Sequence, residues 1–191
     1  MDLVTTIEKI VRIIMPKDDV HGLGHVLRVR KLALEIAKHV DKSVDLEILE
    51  LAALLHDIGR LQSEKGHAKM SVEVAKSILE LIKYPREKIE KVVNAILAHS
   101  FSENVRPICI EAQILSDADK LDALGAIGIA RVIAYGGSIG RNFCYDLKHF
   151  KEKILKLKNL MYTDYDKMLA DRKSKIIERF VKEFEEELSE C

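Results

Sequence analysis

The stretch Leu51–Arg60, "LAALLHDIGR", decides the fold and poses the functional question. Leu51 to Leu55 are apolar throughout, as a helix buried on every side requires. His56, Asp57, Gly59 and Arg60 then follow at once. Upstream, Asp45 stands where an N-cap belongs, so "LEILELAALLHD" reads as one helix, closed by Gly59. A helix built for a core therefore ends in an imidazole and a carboxylate side by side.

Outward from this segment the period stays helical. Leu3, Ile7, Ile10, Val11 and Ile14 recur at spacings of three and four, and Pro16 stops that helix. After the turn "KDDVHGLGH", a helix beginning at His25 carries Val26, Val29, Leu32, Ala33, Ile36 and Val40 on one face. "MSVEVAKSILELIKY" follows, and Pro85 restarts the chain into "REKIEKVVNAILAHS". "ICIEAQILSDADKLDALGAIGIARVIAY" reads as one or two buried helices, and Gly136, Gly137 and Gly140 as a flexible break. A long amphipathic helix from about Asp164 to Glu187 turns Leu169, Ile176, Ile177, Phe180, Val181 and Phe184 inward. No segment alternates as a strand would. The expected fold is all-α: a single compact multi-helix bundle over residues 1–191, with core motifs at about 21–141 and a C-terminal helical extension at 142–191.

The chain has 191 residues, 48% apolar and 32% charged, enough to bury roughly 70% of its unfolded surface. Its 31 basic and 31 acidic residues balance, which argues against a nucleic-acid partner. No run approaches about 20 apolar residues, so no membrane span is expected. The N-terminus lacks the pattern of a signal peptide. Cys109, Cys144 and Cys191, far apart and odd in number, read as reduced thiols of a cytoplasmic protein.

The oddity of the opening stretch recurs along the chain. His25 starts one apolar helix, His99 ends another, and Asp117, Asp119 and Asp122 interrupt a third. Unpaired buried carboxylates cost several kcal/mol each, so several in one core need a shared counter-charge. A divalent cation supplies it. Imidazoles with carboxylates suit Mn²⁺, Fe²⁺, Co²⁺, Ni²⁺ or Zn²⁺, with Mg²⁺ less natural. His25, His56, Asp57 and Asp119 would give two nitrogens and two oxygens, leaving room for water and substrate. One His-Asp dipeptide alone would be a satisfied surface pair. The set, interrupting three helices, reads as a metal site. His21 stands between a supporting role and a plain loop position.

With "GHVLRV", "LAALLHDIGR" and "SDADKLDALGAIGIAR" in this order, the sequence resembles the HD-domain phosphohydrolase superfamily from about Leu23 to Arg141. The superfamily's metal histidine falls on His25, its doublet on His56 and Asp57, and its distal aspartate on Asp119. "HDIGR", "GHAKMS", "AHSF" and "DADKLDALGAIGIAR" are similar to a subgroup of small stand-alone HD hydrolases. That subgroup includes a manganese-dependent nucleoside-triphosphate pyrophosphohydrolase. Two departures stand out. The residue before the metal histidine is often aspartate in the subgroup and is Gly24 here. "YGGSIGR" is only loosely shared, so no role is carried over for it.

The resemblance implies hydrolysis of a phosphate ester or anhydride. The expected reaction converts (deoxy)nucleoside triphosphates to monophosphate and pyrophosphate. Manganese is the expected ion, with cobalt, iron, nickel, zinc or magnesium as alternatives. Other readings are a nucleoside 5′-monophosphatase, a phosphodiesterase, or a non-catalytic nucleotide- or metal-binding regulator. A homo-oligomer through the C-terminal helix is compatible with the pattern. Arg60 and Lys120 are candidates for stabilising phosphate oxygens. Against this, Arg60 would also suit a helix C-terminus, and Lys120 would also suit solvent or a local acid. His67 and His99 either take a second metal with Asp57 bridging or, the favoured reading, donate to substrate phosphates. Asp122, three residues after Asp119, is a candidate general base or an orienting group for Lys120 or a ribose hydroxyl. The basic run "KHFKEKILKLK" is read as a solvated helix face.

Overall fold

In the computed structural model, residues 2–62, 66–100 and 103–188 are described. Among them there are nine α-helices and no strand, as the periodicity predicts. The chain divides into two compact units, Met1–Asp119 and Lys120–Cys191.

The first unit holds α1 (Leu3–Ile14), α2 (Leu23–Ala37), α3 (Leu46–Leu55), α4 (His67–Leu81), α5 (Arg86–His99) and most of α6 (Ile110–Asp122). Helix α3 is its axis. Ile48, Leu49 and Leu51–Leu55 are all buried, against α1, α2 and α5. Asp45 caps it as expected, accepting the Ile48 N–H, while its own N–H donates to the buried Glu111 of α6. Burying such a run contributes about 2 kcal/mol per large side chain. It also fixes where the helix ends, and that end is the site.

Two starts differ from the sequence reading. Helix α2 begins at Leu23, and α4 begins at His67, three residues before Met70. Gly66, in the left-handed region at φ 70°, turns the chain into α4, so His67 is its first residue.

The second unit contains α7 (Gly125–Ser138), α8 (Phe143–Glu152), a 3₁₀ segment (Ile154–Leu160) and α9 (Asp164–Glu187). Phe150, Phe180 and Phe184 pack ring to ring, with Phe143 on Phe184. The expected glycine break is corrected. Gly136 and Gly137 continue α7, and only Gly140, at φ 68°, turns the chain. Gly136 is needed for another reason: a Cβ there would lie 2.6 Å from both carboxylate oxygens of the buried Asp146. Arg141 pairs with that carboxylate. Ile176 is exposed rather than inward. The buried stripe of α9 runs Asp166, Ala170, Ser174, Ile177, Val181, and a residue beside Ile177 points about 100° away from it. The basic run is a solvated face, with Lys151 on Glu185 and Lys158 on Glu178.

Cys109 is a free thiol, but Cys144 is disulfide-bonded, which corrects the expectation of three reduced cysteines. Cys191, and Phe101 of the "AHSF" motif, lie outside the described residues. No helix among the described residues is long and apolar enough to cross a membrane.

Candidate metal centre

An α-helix leaves its last carbonyls without partners. At the end of α3, His56 answers this locally: its Nδ1–H donates to Ala53 O at 2.8 Å. The end of α5 repeats the device, with His99 Nδ1–H donating to Ile96 O. These partners assign the tautomer, so in both rings Nε2 carries the lone pair and points away from the helix end. The apolar helix ends in histidine because one ring can close the helix and present a ligand atom.

The lone pairs point at Asp57, the next residue after His56. Four side chains of the first unit converge there from α2, α3, the following turn and α6. His25 Nε2 lies 3.2 Å from His56 Nε2, 3.5 Å from Asp57 Oδ2 and 3.4 Å from Asp119 Oδ1. His56 Nε2 is 3.9 Å from Asp57 Oδ2. A second set uses the other carboxylate oxygen. Asp57 Oδ1 faces His67 Nε2 at 3.4 Å and His99 Nε2 at 3.7 Å. His25, His56, Asp57 and His99 are buried, His67 partly so, and the Asp119 side chain is 27% exposed at the open side.

This donor chemistry fits a divalent cation. His25 Nε2 confronts three acceptors, and one proton can serve only one of them well. Asp57 Oδ1 is buried with no hydrogen-bond partner. Such an atom is costly unless an ion or similar group satisfies it. Ligands about 2.1 Å from a common ion, at right angles, stand about 3 Å apart, close to the separations seen. Hence His25, His56, Asp57 and Asp119 could hold one cation, and Asp57, His67 and His99 another.

Charge states agree. Burial alone would push the Asp57 carboxyl up, but the His56, His25 and His99 imidazoles and the Arg60 guanidinium hold it well below the usual carboxylate range. Asp119, also opposed by burial, is lowered chiefly by His25. Burial pushes His56 down from 6.5 to about 4, against the pull of Asp57. His56 is thus neutral at physiological pH, as a metal ligand must be. Its folded pKa lies below its unfolded one, so the unfolded chain binds more protons between these values. The metal-free protein should therefore lose stability as pH falls from 6.5 toward 4, by about 3 kcal/mol from this group. Urea midpoints across that window check it. A flat profile would contradict the enclosed neutral imidazole.

Around the ligands, Arg60 pairs with two of them. Its Nε donates to Asp57 Oδ2 at 2.7 Å, and its Nη2 reaches His67 Nε2 at 3.3 Å. Gly59 does not close α3 as expected: that helix stops at Leu55, and Gly59 lies inside a 3₁₀ segment, Ile58–Leu61, where packing and not capping requires it. A Cβ on it would lie 2.3 Å from His67 O and 2.5 Å from Ser71 N, so only glycine lets α4 bring His67 to Asp57. Its N–H donates to the buried Ser71 Oγ at 2.8 Å. Nothing in the sequence marks Ser71 as a partner, and a glycine after a helix gives no sign of a second helix against it. The Gly24 departure is filled from elsewhere: a Cβ there would lie 2.0 Å from Asp19 Oδ1, and Asp19 pairs with Arg28 at 2.8 Å. His21 sits beside His25, rings edge to face at 6.5 Å.

Lys120 and Asp122 belong to the second unit. Lys120 is buried rather than solvent-facing, its Nζ 5.2 Å from the Tyr162 ring. Asp122 is buried and accepts from Arg131 at 2.8 Å.

A family model described as HD domain matches residues 22–124, more than half of the chain. The chain belongs to the HD-domain family. The Bacillus subtilis (strain 168) protein YpgQ is 32% identical over 176 residues, covering 88% of this chain and 84% of YpgQ. The crystal structure of YpgQ in complex with ADP aligns over 98% of this chain and 95% of that one, at TM-score 0.81 and 28% identity. A Bacillus thuringiensis HD-superfamily hydrolase aligns over 98% and 95%, at TM-score 0.72 and 32% identity. This chain is a metal-dependent phosphohydrolase of the HD superfamily.

Proposed function

We propose that this hydrolase acts on nucleotides and converts (deoxy)nucleoside triphosphates to monophosphate and pyrophosphate. The observation that carries the reading is the single carboxylate of Asp57 shared between two imidazole-rich donor sets. In this reading His25, His56, Asp57 and Asp119 hold one divalent cation, manganese first, and Asp57, His67 and His99 hold a second. Bound there, such ions supply Lewis-acid polarisation of phosphoryl oxygens and a water of lowered pKa. YpgQ, similar over nearly the whole chain, was crystallised with ADP, which supports a nucleotide in this family branch.

The residues do the positioning. The enclosed His56 and His99 are locked through their Nδ1–H bonds, so their Nε2 atoms need no reorganisation. Asp119, whose side chain is 27% exposed, marks the side open to a phosphate. The oxygen of a water molecule adds to the α-phosphorus and the α–β bridging P–O bond breaks. Pyrophosphate leaves carrying one of the water's two protons, and the other passes to solvent. Holding the second cation is favoured over direct donation to phosphates for His99 because its Nδ1–H is already spent on Ile96 O, and for His67 because its Nε2 faces the same Asp57 oxygen.

Product analysis tests the reading. Protein reconstituted with Mn²⁺, Co²⁺ or Mg²⁺ is incubated with a panel of nucleoside tri-, di- and monophosphates. Pyrophosphate with monophosphate is the expected pair. Orthophosphate from monophosphates would establish a 5′-monophosphatase instead. Protection against melting without turnover would establish a binder.

A further inference from the structure

We propose that Arg60 occupies the place of the second cation, so that Asp57, His67 and His99 take up an ion only when the guanidinium leaves His67. This deepens the two-cation reading above and rests on it.

The argument is one of lone pairs. A guanidinium carries only N–H donors. At 3.3 Å from Arg60 Nη2, His67 Nε2 must therefore be the acceptor, and the ring is in its Nδ1–H form. A neutral imidazole has one in-plane lone pair. It can accept from Arg60 or bind an ion, but not both. Asp57 is under no such restriction. Its Oδ2 accepts from Arg60 Nε at 2.7 Å and still faces His25 at 3.5 Å, because a carboxylate oxygen has two lone-pair directions.

The conflict thus falls on one donor set. The first cation, at His25, His56, Asp57 and Asp119, enters with Arg60 in place. The second must break the Arg60–His67 bond. The planar fork is what spans the two sets, with one arm on a ligand of each. It also places a fixed positive charge beside a carboxylate that two cations would share. A substrate phosphate would offer the displaced guanidinium a new bidentate partner. Uptake of the second ion and arrival of substrate would then favour one another.

The test measures bound Mn²⁺ per chain by equilibrium dialysis at neutral pH, with no nucleotide present. The wild-type chain is expected to bind one ion tightly and a second weakly. Arg60→Met should tighten the second by about tenfold, the worth of one charge-assisted hydrogen bond, and leave the first nearly unchanged. Arg60→Lys keeps the positive charge but loses the fork. It should also tighten the second ion alone, and it serves if the methionine variant fails to fold. Adding His67→Ala to either variant should return the count to one. A second-ion affinity unmoved by both variants overturns the proposal. So does equal tightening of both ions in Arg60→Met with no effect of Arg60→Lys, which would mark simple charge repulsion. If no chain binds a second ion at any concentration while the first is retained, the two-cation reading itself falls and this proposal with it.

Discussion

Replacing Asp57 with alanine is expected to abolish both metal retention and turnover while the helical circular-dichroism signal survives. Among the described residues, Asp57 alone has oxygens that face both donor sets, Oδ2 toward His25 and His56 and Oδ1 toward His67 and His99. Its loss leaves imidazoles without the charge that makes a divalent ion worth holding. An ion that polarises phosphorus and acidifies water contributes several kcal/mol to the transition state. The loss in rate should therefore be about a thousandfold or more. The fold should persist because α3 is held by Ile48, Leu49 and Leu51–Leu55, none of which needs the carboxylate. Metal content by atomic emission, followed by a rate assay, reads both effects. Full metal content in the variant would overturn the site.

Gly59→Ala should produce the second-largest effect, at a residue that touches no ligand atom. The added methyl would meet the His67 carbonyl, the Ser71 amide and Met70 Cβ, at 2.3, 2.5 and 2.8 Å. Two of these are backbone atoms, so no side-chain rotation relieves the clash. Helix α4 must move away. Overpacking of this kind costs about 3 kcal/mol, or about 10 °C in melting temperature for a chain of this size. The displacement carries His67 off Asp57. His25, His56 and Asp119 sit on α2, α3 and α6, so the first ion should remain. A variant that melts normally and keeps two ions would show that α4 tolerates the methyl.

The parts that sequence reading captured are those where a local rule is also the global one. The apolar run of α3 can only be a buried helix, and its Asp45 cap follows from the same pattern. His25, His56, Asp57 and Asp119 could be grouped because each breaks an apolar face, and a core does not tolerate that without a common partner. What stayed hidden depends on which side chains meet across the bundle. His67 and His99 were legible as polar ends of helices, with a second metal bridged by Asp57 as one of two readings, but not as the pair that faces the other oxygen of Asp57. Arg60 was legible as a cation near the doublet, but not as a clamp between Asp57 and His67. Asp19 filling the space beside Gly24 arises from a turn that places residues five apart in contact.

The twin endings of α3 and α5 restrict what could replace their terminal residues. Aspartate or glutamate at position 56 would offer oxygen to a metal, yet could donate nothing to Ala53. Asparagine could donate to Ala53, but its remaining amide oxygen would project from the same short stem and not from the far edge of a ring. Only imidazole separates donor and acceptor across a rigid aromatic span, so that finishing a helix and aiming a ligand become one act.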